Sequence, residues 1–149
     1  MQRLFLTGGS GMVGQNIQNH ESAKDWEILA PTRAELDLTD PKAVCAYIKT
    51  NKPDLVVHAA GRVGGIQANI ANPVSFLDSN NVIGRNIIMG AWSEGVRNFI
   101  NLGSTCMYPA AASNPLSEDM ILKGPLEVTN EGYALAKIMA MRLCDYINR

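Results

Sequence analysis

The stretch LFLTGGSGMVG, residues 4–14, decides the fold. Its apolar start predicts a buried strand, and a helix is predicted from Met12 to about Asn19. Between them, glycines allow a tight turn and the close approach of the backbone to a pyrophosphate, while the helix N-terminus supplies partial positive charge and free N–H groups. A strand, a glycine-rich turn and a helix in this order favour a dinucleotide site over an ordinary glycine-rich turn.

Two glycine templates fit this stretch at once. Gly8, Gly11 and Gly14 give G-x-x-G-x-x-G, whereas Gly9 with the same two later glycines gives G-x-G-x-x-G. In either register the backbone of the turn would contact the phosphates. The predicted cofactor contacts in this stretch are Gly8, Ser10, Gly11, Met12, Val13 and Gly14.

Outward from this turn, short apolar runs alternate with helical stretches. Further strands are predicted at residues 27–30, 55–57 and 99–102, and helices at Pro41, at Pro73 and from about Asn130. Asp40 before the first of these prolines is typical of a helix N-cap. The alternation predicts an α/β fold, a Rossmann-type doubly wound parallel sheet, with one dinucleotide-binding domain over residues 1–149. Ligands of such sheets lie beyond the carboxyl ends of the strands.

The composition disfavours several classes of function. The 149 residues carry a net charge of −1 and no basic stripe, so neither nucleic acid nor an anionic membrane is expected as a partner. No apolar run approaches the roughly 20 residues of a membrane span. The three cysteines are widely spaced and, with the two histidines, fit no metal pattern, so no metal is expected. We expect a reduced, cytoplasmic protein.

The end of the second strand bears on the choice between NAD and NADP. An acid there would bind the ribose 2′-hydroxyl of NAD, but this strand runs into Ala30-Pro31-Thr32-Arg33. Arg33 could form a fork on a 2′-phosphate, which favours NADP. The alternatives are that Arg33 is a solvated loop cation or pairs with Glu35. Farther along, Asp37 and Leu38 are expected to flank the adenine.

The segment after the third strand consists of His58 and three small residues, Ala59, Ala60 and Gly61. The small residues would let the backbone pass close to the cofactor at the carboxyl edge of the sheet. His58 is as consistent with a hydrogen-bonded interior histidine as with a functional one.

Tyr133 and Lys137 are spaced for a pair on one helix face, since residues four apart have Cβ atoms about 5–6 Å apart. A fixed ammonium favours a phenolate, so we expect Lys137 to lower the pKa of Tyr133 from its ordinary value near 10. The phenol can then donate a proton to a carbonyl as a hydride arrives. Ser104 follows the fourth strand and would place a hydroxyl at the same sheet edge, beside the nicotinamide.

The Thr-Gly-x-x-Gly-x-x-Gly start, Ser104, Tyr133 and Lys137, in this order, resemble an extended short-chain dehydrogenase/reductase. The finer pattern is similar to that of the GDP-L-fucose synthase family, the 3,5-epimerase-4-reductases of GDP-4-keto-6-deoxy-D-mannose. The matching stretches are residues 58–69, 102–109 and 129–137, and they span nearly the whole chain. The Val-Gly-Gly-Ile block and the cysteine two residues after Ser104 are more specific than the glycine motif.

The resemblance implies a two-stage, NADP(H)-dependent reaction: epimerisation at C3 and C5 of the ketosugar nucleotide, then reduction at C4. Ser104 would hydrogen-bond the keto oxygen, Tyr133 would protonate it, and Lys137 would tune Tyr133 and hold the nicotinamide ribose. Cys106 matches the acid–base of the epimerisation; the alternative is a small buried hydrophobe. A homodimer that pairs through helices including the tyrosine–lysine helix is also implied.

The resemblance further implies a substrate domain and a catalytic histidine beyond the tyrosine–lysine helix. We therefore expect either a fragment of a longer enzyme, with apolar surface exposed, or a natural short form that keeps the cofactor part. Two other functions stay open. One is another sugar-nucleotide enzyme of the superfamily, such as a 4-epimerase with tightly held NAD, and the other is a non-catalytic NADP-binding module.

Overall fold

The computed structural model describes residues 1–149 and contains one parallel sheet of four strands. The strands are β1 (Gln2–Thr7), β2 (Trp26–Leu29), β3 (Leu55–His58) and β4 (Asn98–Asn101). The helices are α1 (Met12–Asn19), α2 (Pro41–Asn51), α3 (Ile66–Ala71), α4 (Pro73–Ser93) and α5 (Glu131–Asn148). Short 3₁₀ helices occupy Glu21–Asp25, Thr105–Met107, Glu118–Met120 and Val128–Asn130. The predicted α/β fold with a parallel sheet is confirmed, and none of the helices is long and apolar enough to cross a bilayer.

The chain divides into two compact units. The first unit comprises Met1–Gly61 and Val82–Leu102, and the second comprises Arg62–Asn81 and Gly103–Arg149. The sheet, α1 and α2 belong to the first unit, α3 and α5 belong to the second, and α4 contributes residues to both. That residues 1–149 form one dinucleotide-binding domain stays a prediction.

The direction of strand addition reverses next to β1, because the strand order is β2-β1-β3-β4. Leu4 in β1 pairs with Ile28 on one side and with Leu55 on the other. In parallel α/β sheets, ligands bind outside the carboxyl ends of the strands at such a reversal. The glycine turn follows the carboxyl end of β1, and the small residues follow the carboxyl end of β3, so both begin where the strand order reverses.

Helices cover both faces of the sheet in the first unit. Successive strand residues point to opposite faces. On one face the buried residues of the strands, of α2, of α4 and of the segment between β2 and α2 form a core of Phe5, Leu36, Val44, Ile48, Val56, Ile87 and Ala91. On the other face Leu4, Leu6 and Val57 pack with Ile17 of α1. This arrangement is the doubly wound one that the sequence predicts.

The second unit has a core of its own, made of Met107, Ile121, Leu126, Ala134 and Ile138. Ala134 and Ile138 lie four residues apart on α5, so one face of this helix covers the irregular segment between β4 and α5. Cys106, Tyr108 and Met141 are partly buried against the same core. The face of α5 therefore fixes the segment that carries Cys106.

The bounds of most elements agree with the predicted ones to within two residues, but α3 was not predicted. It begins directly after the glycine-rich loop, with Gly65 as N-cap, and has six residues. Ile66 and Ile70 on this helix are both exposed. No apolar stripe therefore distinguished this segment from a loop.

Asp40 caps α2 as predicted, since its Oδ1 accepts hydrogen bonds from the N–H groups of Lys42 at 2.8 Å and Ala43 at 3.2 Å. Asp40→Ala leaves both donors without a protein partner and should lower the free energy of unfolding by about 1 kcal/mol. Urea unfolding followed by circular dichroism measures the change. Asp40→Asn keeps an acceptor oxygen and is the matched control; equal losses in the two variants would assign the effect to charge and contradict the cap.

Candidate active site

The glycine turn after β1 is too closely packed for any larger residue. Gly8 has φ of +72°, in the left-handed region, and a Cβ there would lie 2.7 Å from the backbone nitrogen of Ala60. A Cβ on Gly14 would lie 2.3 Å from the carbonyl oxygen of Gly8. These two glycines therefore let β1, the first turn of α1 and the segment after β3 meet at the reversal of the strand order.

The N-terminus of α1 is suited to an anion. Its N-cap, Gly11, provides no side-chain hydrogen bond, and the first turn has no acidic residue. Met12 is 79% exposed and Val13 is 39% exposed. Gln18 braces the turn, because its Nε2 donates to two carbonyl oxygens of the turn residues at 2.7 and 3.1 Å. The cradle fits a pyrophosphate at a helix N-terminus, and sequence reasoning missed the bracing role of Gln18.

His58 is an interior histidine. It is 3% exposed, and its Nδ1 lies 2.8 Å from the hydroxyl of Thr7. That hydroxyl also accepts a hydrogen bond from the N–H of Ala60 at 3.1 Å, and the tautomer of the imidazole decides whether it donates to Nδ1 or accepts from it. The network joins the carboxyl ends of β1 and β3, and it supports the interior alternative for His58.

The residues after β2 satisfy their own hydrogen bonds and leave Arg33 unpaired. Glu35 accepts from the N–H and the hydroxyl of Thr32 at 2.7 and 2.9 Å. Asp37 accepts from the N–H and the hydroxyl of Thr39, and these bonds, with a smaller contribution from the charge of Arg33, lower the pKa of Asp37. Arg33 is exposed and forms no ion pair with Glu35. Its guanidinium is therefore available to a phosphate.

Ser10 and Leu38, two of the predicted cofactor contacts, differ in their exposure to solvent. Ser10 is exposed in the glycine turn, and its carbonyl accepts a hydrogen bond from Gln15 Nε2 at 3.1 Å. Leu38 is half-buried against the core of the first unit, and its carbonyl accepts a hydrogen bond from Asn86 Nδ2 at 3.0 Å. Ser10 can thus offer its hydroxyl to a phosphate, whereas Leu38 offers only part of its side chain to a base.

Ser104 and Cys106 are held in one turn of the second unit. Ser104 is the N-cap of the 3₁₀ helix Thr105–Met107, and its Oγ accepts a hydrogen bond from the N–H of Cys106 at 3.3 Å. The N–H of Ser104 faces the sulfur of Met107 at 3.3 Å. Both Ser104 and Cys106 are half-buried. The turn therefore fixes a hydroxyl and a thiol two residues apart, as the sequence pattern predicts.

Tyr133 and Lys137 lie one turn apart near the start of α5, with Lys137 Nζ 5.8 Å from the centroid of the Tyr133 ring. Burial lowers the pKa of Lys137, which is 8% exposed. Burial also raises the pKa of Tyr133, and negative charge on Cys106 raises it further. The expectation that Lys137 lowers the pKa of Tyr133 is therefore wrong in this structure, because burial disfavours the charged forms of both residues.

Asn130 joins this group and was missed by sequence reasoning. Its Nδ2 donates to Cys106 Sγ at 3.1 Å. Asn130 precedes α5 in the N-cap position, yet its side chain makes no capping hydrogen bond. The contact joins residues 24 positions apart in the sequence, so no local pattern pointed to it.

The loop at residues 62–65, also in the second unit, is held by two buried carboxamides. Asn80 accepts from the N–H of Arg62 at 2.8 Å and donates to its carbonyl at 3.0 Å. Asn69 donates to the carbonyl oxygens of Gly64 and Gly65 at 3.0 and 3.1 Å. Val63, between these anchors, is 74% exposed. The backbone of this loop is fixed while an apolar side chain projects from it.

No cluster of three or more metal-ligating side chains occurs in the structure.

The contact of Gly14 with the carbonyl of Gly8 gives a matched pair of substitutions. Gly14→Ala forces this carbonyl to move and should lower the free energy of unfolding by about 1–3 kcal/mol. A Cβ at Gly65, the control position, meets nothing within 4 Å. Gly65→Ala should therefore leave the urea midpoint nearly unchanged. Equal midpoints for the two variants would mean that the close packing of the turn is not a constraint on stability.

The chain has extensive likeness to known proteins. The GDP-L-colitose synthase of Yersinia pseudotuberculosis is 52% identical over 147 residues, which cover 99% of this chain and 48% of that protein. The GDP-L-fucose synthase of Azorhizobium caulinodans is 51% identical over 148 residues, covering 99% and 47%. The GDP-L-fucose synthetase of Naegleria fowleri, solved bound to NADP, superposes with a TM-score of 0.85 at 30% identity and covers 99% of this chain and 48% of that chain.

The chain therefore spans about half the length of the curated relatives it matches. The model of the NAD dependent epimerase/dehydratase family matches residues 4–149. This match agrees with the similarities above and with the fold. With a glycine cradle at the reversal of a parallel sheet and a match over almost every residue, the chain belongs to the NAD dependent epimerase/dehydratase family.

Proposed function

We propose that the protein epimerises GDP-4-keto-6-deoxy-D-mannose at C3 and C5 and then reduces C4 with NADPH to give GDP-L-fucose. The chain would supply the cofactor-binding part and most of the acid–base groups, and a substrate domain would lie outside it. The observation that carries this proposal is the grouping of Ser104, Cys106, Tyr133 and Lys137 in one compact unit, with a polar partner on the sulfur. The relatives named GDP-L-fucose synthase support it.

The first unit fits NADP(H). The pyrophosphate would lie on the cradle formed by Gly8, Ser10, Gly11, Met12, Val13 and Gly14. Arg33 would bind the 2′-phosphate, and Asp37 and Leu38 would flank the adenine. The small residues Ala59, Ala60 and Gly61 would contact the cofactor after β3. The Naegleria fowleri structure, bound to NADP, supports this choice of dinucleotide, which when bound would supply the hydride for C4.

The proton for the reduction would come from Tyr133. A tyrosine is protonated near neutral pH at its ordinary pKa, and burial raises that pKa further, so the phenol is in the form a proton donor needs. Ser104 would hydrogen-bond the keto oxygen of the substrate, and its half-buried position limits competition from water. Lys137 would hold the nicotinamide ribose.

The epimerisation needs a base for protons next to the ketone, and Cys106 is proposed for that step. Protons α to a ketone are acidic enough for a thiolate to remove them, and the thiolate is the reactive form of a cysteine. Cys45 and Cys144 are free thiols as well. They lack the Ser104 and Asn130 contacts that hold Cys106.

A second candidate product is GDP-L-colitose, because the synthase of that sugar nucleotide in Yersinia pseudotuberculosis is 52% identical. Formation of either product would use the same fold and the same acid–base groups of this chain. The two proposed activities would differ in the ketosugar that the enzyme accepts. Turnover of the keto precursor of each sugar, measured side by side, separates them. A 4-epimerase would instead retain NAD through dialysis, and a non-catalytic module would turn over neither precursor.

The proposal also covers the assembly of the protein and its location in the cell. A cytoplasmic homodimer would pair through helices that include α5. Support comes from Leu135 and Tyr146 on this helix, which are 39% and 63% exposed. Sedimentation equilibrium of the full-length protein tests the dimer.

The direct test supplies the full-length protein with GDP-4-keto-6-deoxy-D-mannose and NADPH in D₂O. We expect loss of the nicotinamide absorbance and deuterium at C3 and C5 of the product. Tyr133→Phe should slow the absorbance change about 10²–10⁴-fold and leave NADPH affinity and deuterium uptake nearly intact. Tyr47→Phe, on α2 of the first unit, is the control. The proposal is wrong if the wild-type protein oxidises no NADPH with this ketosugar.

The role of Arg33 is tested by cofactor preference. A charge-assisted contact with the 2′-phosphate contributes about 1.5–3 kcal/mol, so Arg33→Ala should raise the Kd for NADPH about 10- to 100-fold. The Kd for NADH should stay unchanged, since NADH lacks this phosphate. Arg97, another exposed arginine of the first unit, gives the control variant Arg97→Ala. Parallel losses for NADPH and NADH, measured by fluorescence titration, would exclude a specific contact with the 2′-phosphate.

A further inference from the structure

Asn130 makes an unusual use of its carboxamide. The residue closes the 3₁₀ helix Val128–Asn130 immediately before α5, where an asparagine ordinarily caps the following helix. Here its Nδ2 donates to Cys106 Sγ at 3.1 Å, and no capping hydrogen bond forms. The side chain therefore gives its hydrogen bond to the thiol and none to the end of the helix.

The other end of the same carboxamide makes the placement costly. Asn130 Oδ1 is buried and has no hydrogen-bond partner in the structure. A buried, unsatisfied polar atom destabilises a fold. The hydrogen bond to the sulfur is therefore the one polar contact that the structure gives this carboxamide.

The surroundings of Cys106 give the thiolate few other partners. Its side chain packs against the apolar core of the second unit, which includes Met107 and Ile121. The titratable groups nearby are Tyr108, in the same cluster, and Tyr133, whose charge interacts with that of Cys106, with Lys137 one turn farther along α5. Ser104 Oγ accepts from the backbone of Cys106 and does not donate to its sulfur. Asn130 is the neutral donor aimed at the sulfur.

We propose that Asn130 is a positioning residue that stabilises and orients the Cys106 thiolate for removal of the proton next to the ketone, and that it takes no part in the reduction. This inference rests on the proposed function. In the step it serves, Cys106 Sγ takes the proton from the sugar carbon. The electron pair of the broken C–H bond moves to the keto oxygen as an enolate, to which the Ser104 hydroxyl can donate. A hydrogen bond to a charged acceptor is stronger than one to a neutral acceptor, so the amide favours thiolate over thiol.

The first test measures alkylation of Cys106 by iodoacetamide against pH in the full-length protein, with peptide-resolved mass spectrometry. Asn130→Ala removes the donor and should raise the pH midpoint of alkylation by about one unit. Asn130→Asp keeps the shape but replaces the donor by a carboxylate, so its midpoint should rise further. A purely structural role leaves the midpoint of Asn130→Ala at the wild-type value, and the added charge then raises the midpoint of Asn130→Asp alone.

The controls lie in the same protein. Cys45 and Cys144 report their own alkylation profiles in every variant and should not change. Thr129→Ala removes the hydrogen bond from the Thr129 hydroxyl to Glu127, the N-cap of this 3₁₀ helix, at 3.2 Å, and leaves the Asn130 amide in place. It should leave the Cys106 midpoint unchanged. If Asn130→Ala does not fold, Asn130→Leu decides, since it removes the donor without adding a charge and its midpoint must lie above that of the wild type.

The second test separates the two chemical stages. Below the alkylation midpoint, Asn130→Ala should slow deuterium uptake at C3 and C5 about tenfold, in proportion to the lost thiolate. Oxidation of NADPH by a 4-ketosugar that is already epimerised should proceed at the wild-type rate. Coincident alkylation midpoints in the wild type and the neutral Asn130 variant overturn the inference even in an active enzyme. If no ketosugar is turned over, the proposed function fails, and the alkylation profiles still decide whether Asn130 acts on the thiol.

Discussion

The close approach of backbone to backbone around Gly8 and Gly14 is the constraint on which the first unit depends. With a Cβ at either position, the turn after β1 could not stay in contact with the start of α1 and with Ala60. The same lack of side chains exposes the N–H groups of α1 to an anion. Packing and binding therefore have one cause, and a substitution that loosens the turn affects both. The hydrogen bond between the side chains of Thr7 and His58 links the last residues of β1 and β3.

Burial governs the second unit in the way that backbone contact governs the first. The apolar face of α5 packs on the segment that contains Met107 and Ile121, and this packing carries Tyr133 and Lys137 into a partly desolvated position. Desolvation disfavours every charged form, so a phenol stays neutral while an ammonium loses stability. An ammonium four residues away on a helix is therefore not sufficient to produce a phenolate.

Sequence reasoning was most accurate where the physical signal is local. Asp40 with Pro41, the strand Leu4–Leu6 and the glycine spacing all act within a few residues, and each predicted its element correctly. It failed at α3, whose exposed isoleucines carry no apolar stripe, and it did not identify Asn130, whose contact with Cys106 is tertiary. The pKa of Tyr133 was likewise out of reach, because the depth of burial depends on the packing of the whole helix. The roles of the site residues stay predictions.

The surroundings of Tyr133 bear on its part in the proposed reduction. Negative charge on the sulfur of Cys106 raises the pKa of the phenol, so the two groups do not ionise independently. Burial acts in the same direction, so the neutral phenol is favoured over the phenolate. A neutral phenol keeps its proton until negative charge develops on the keto oxygen in the proposed reduction. The packing that buries one face of α5 therefore suits Tyr133 to donating a proton rather than to removing one.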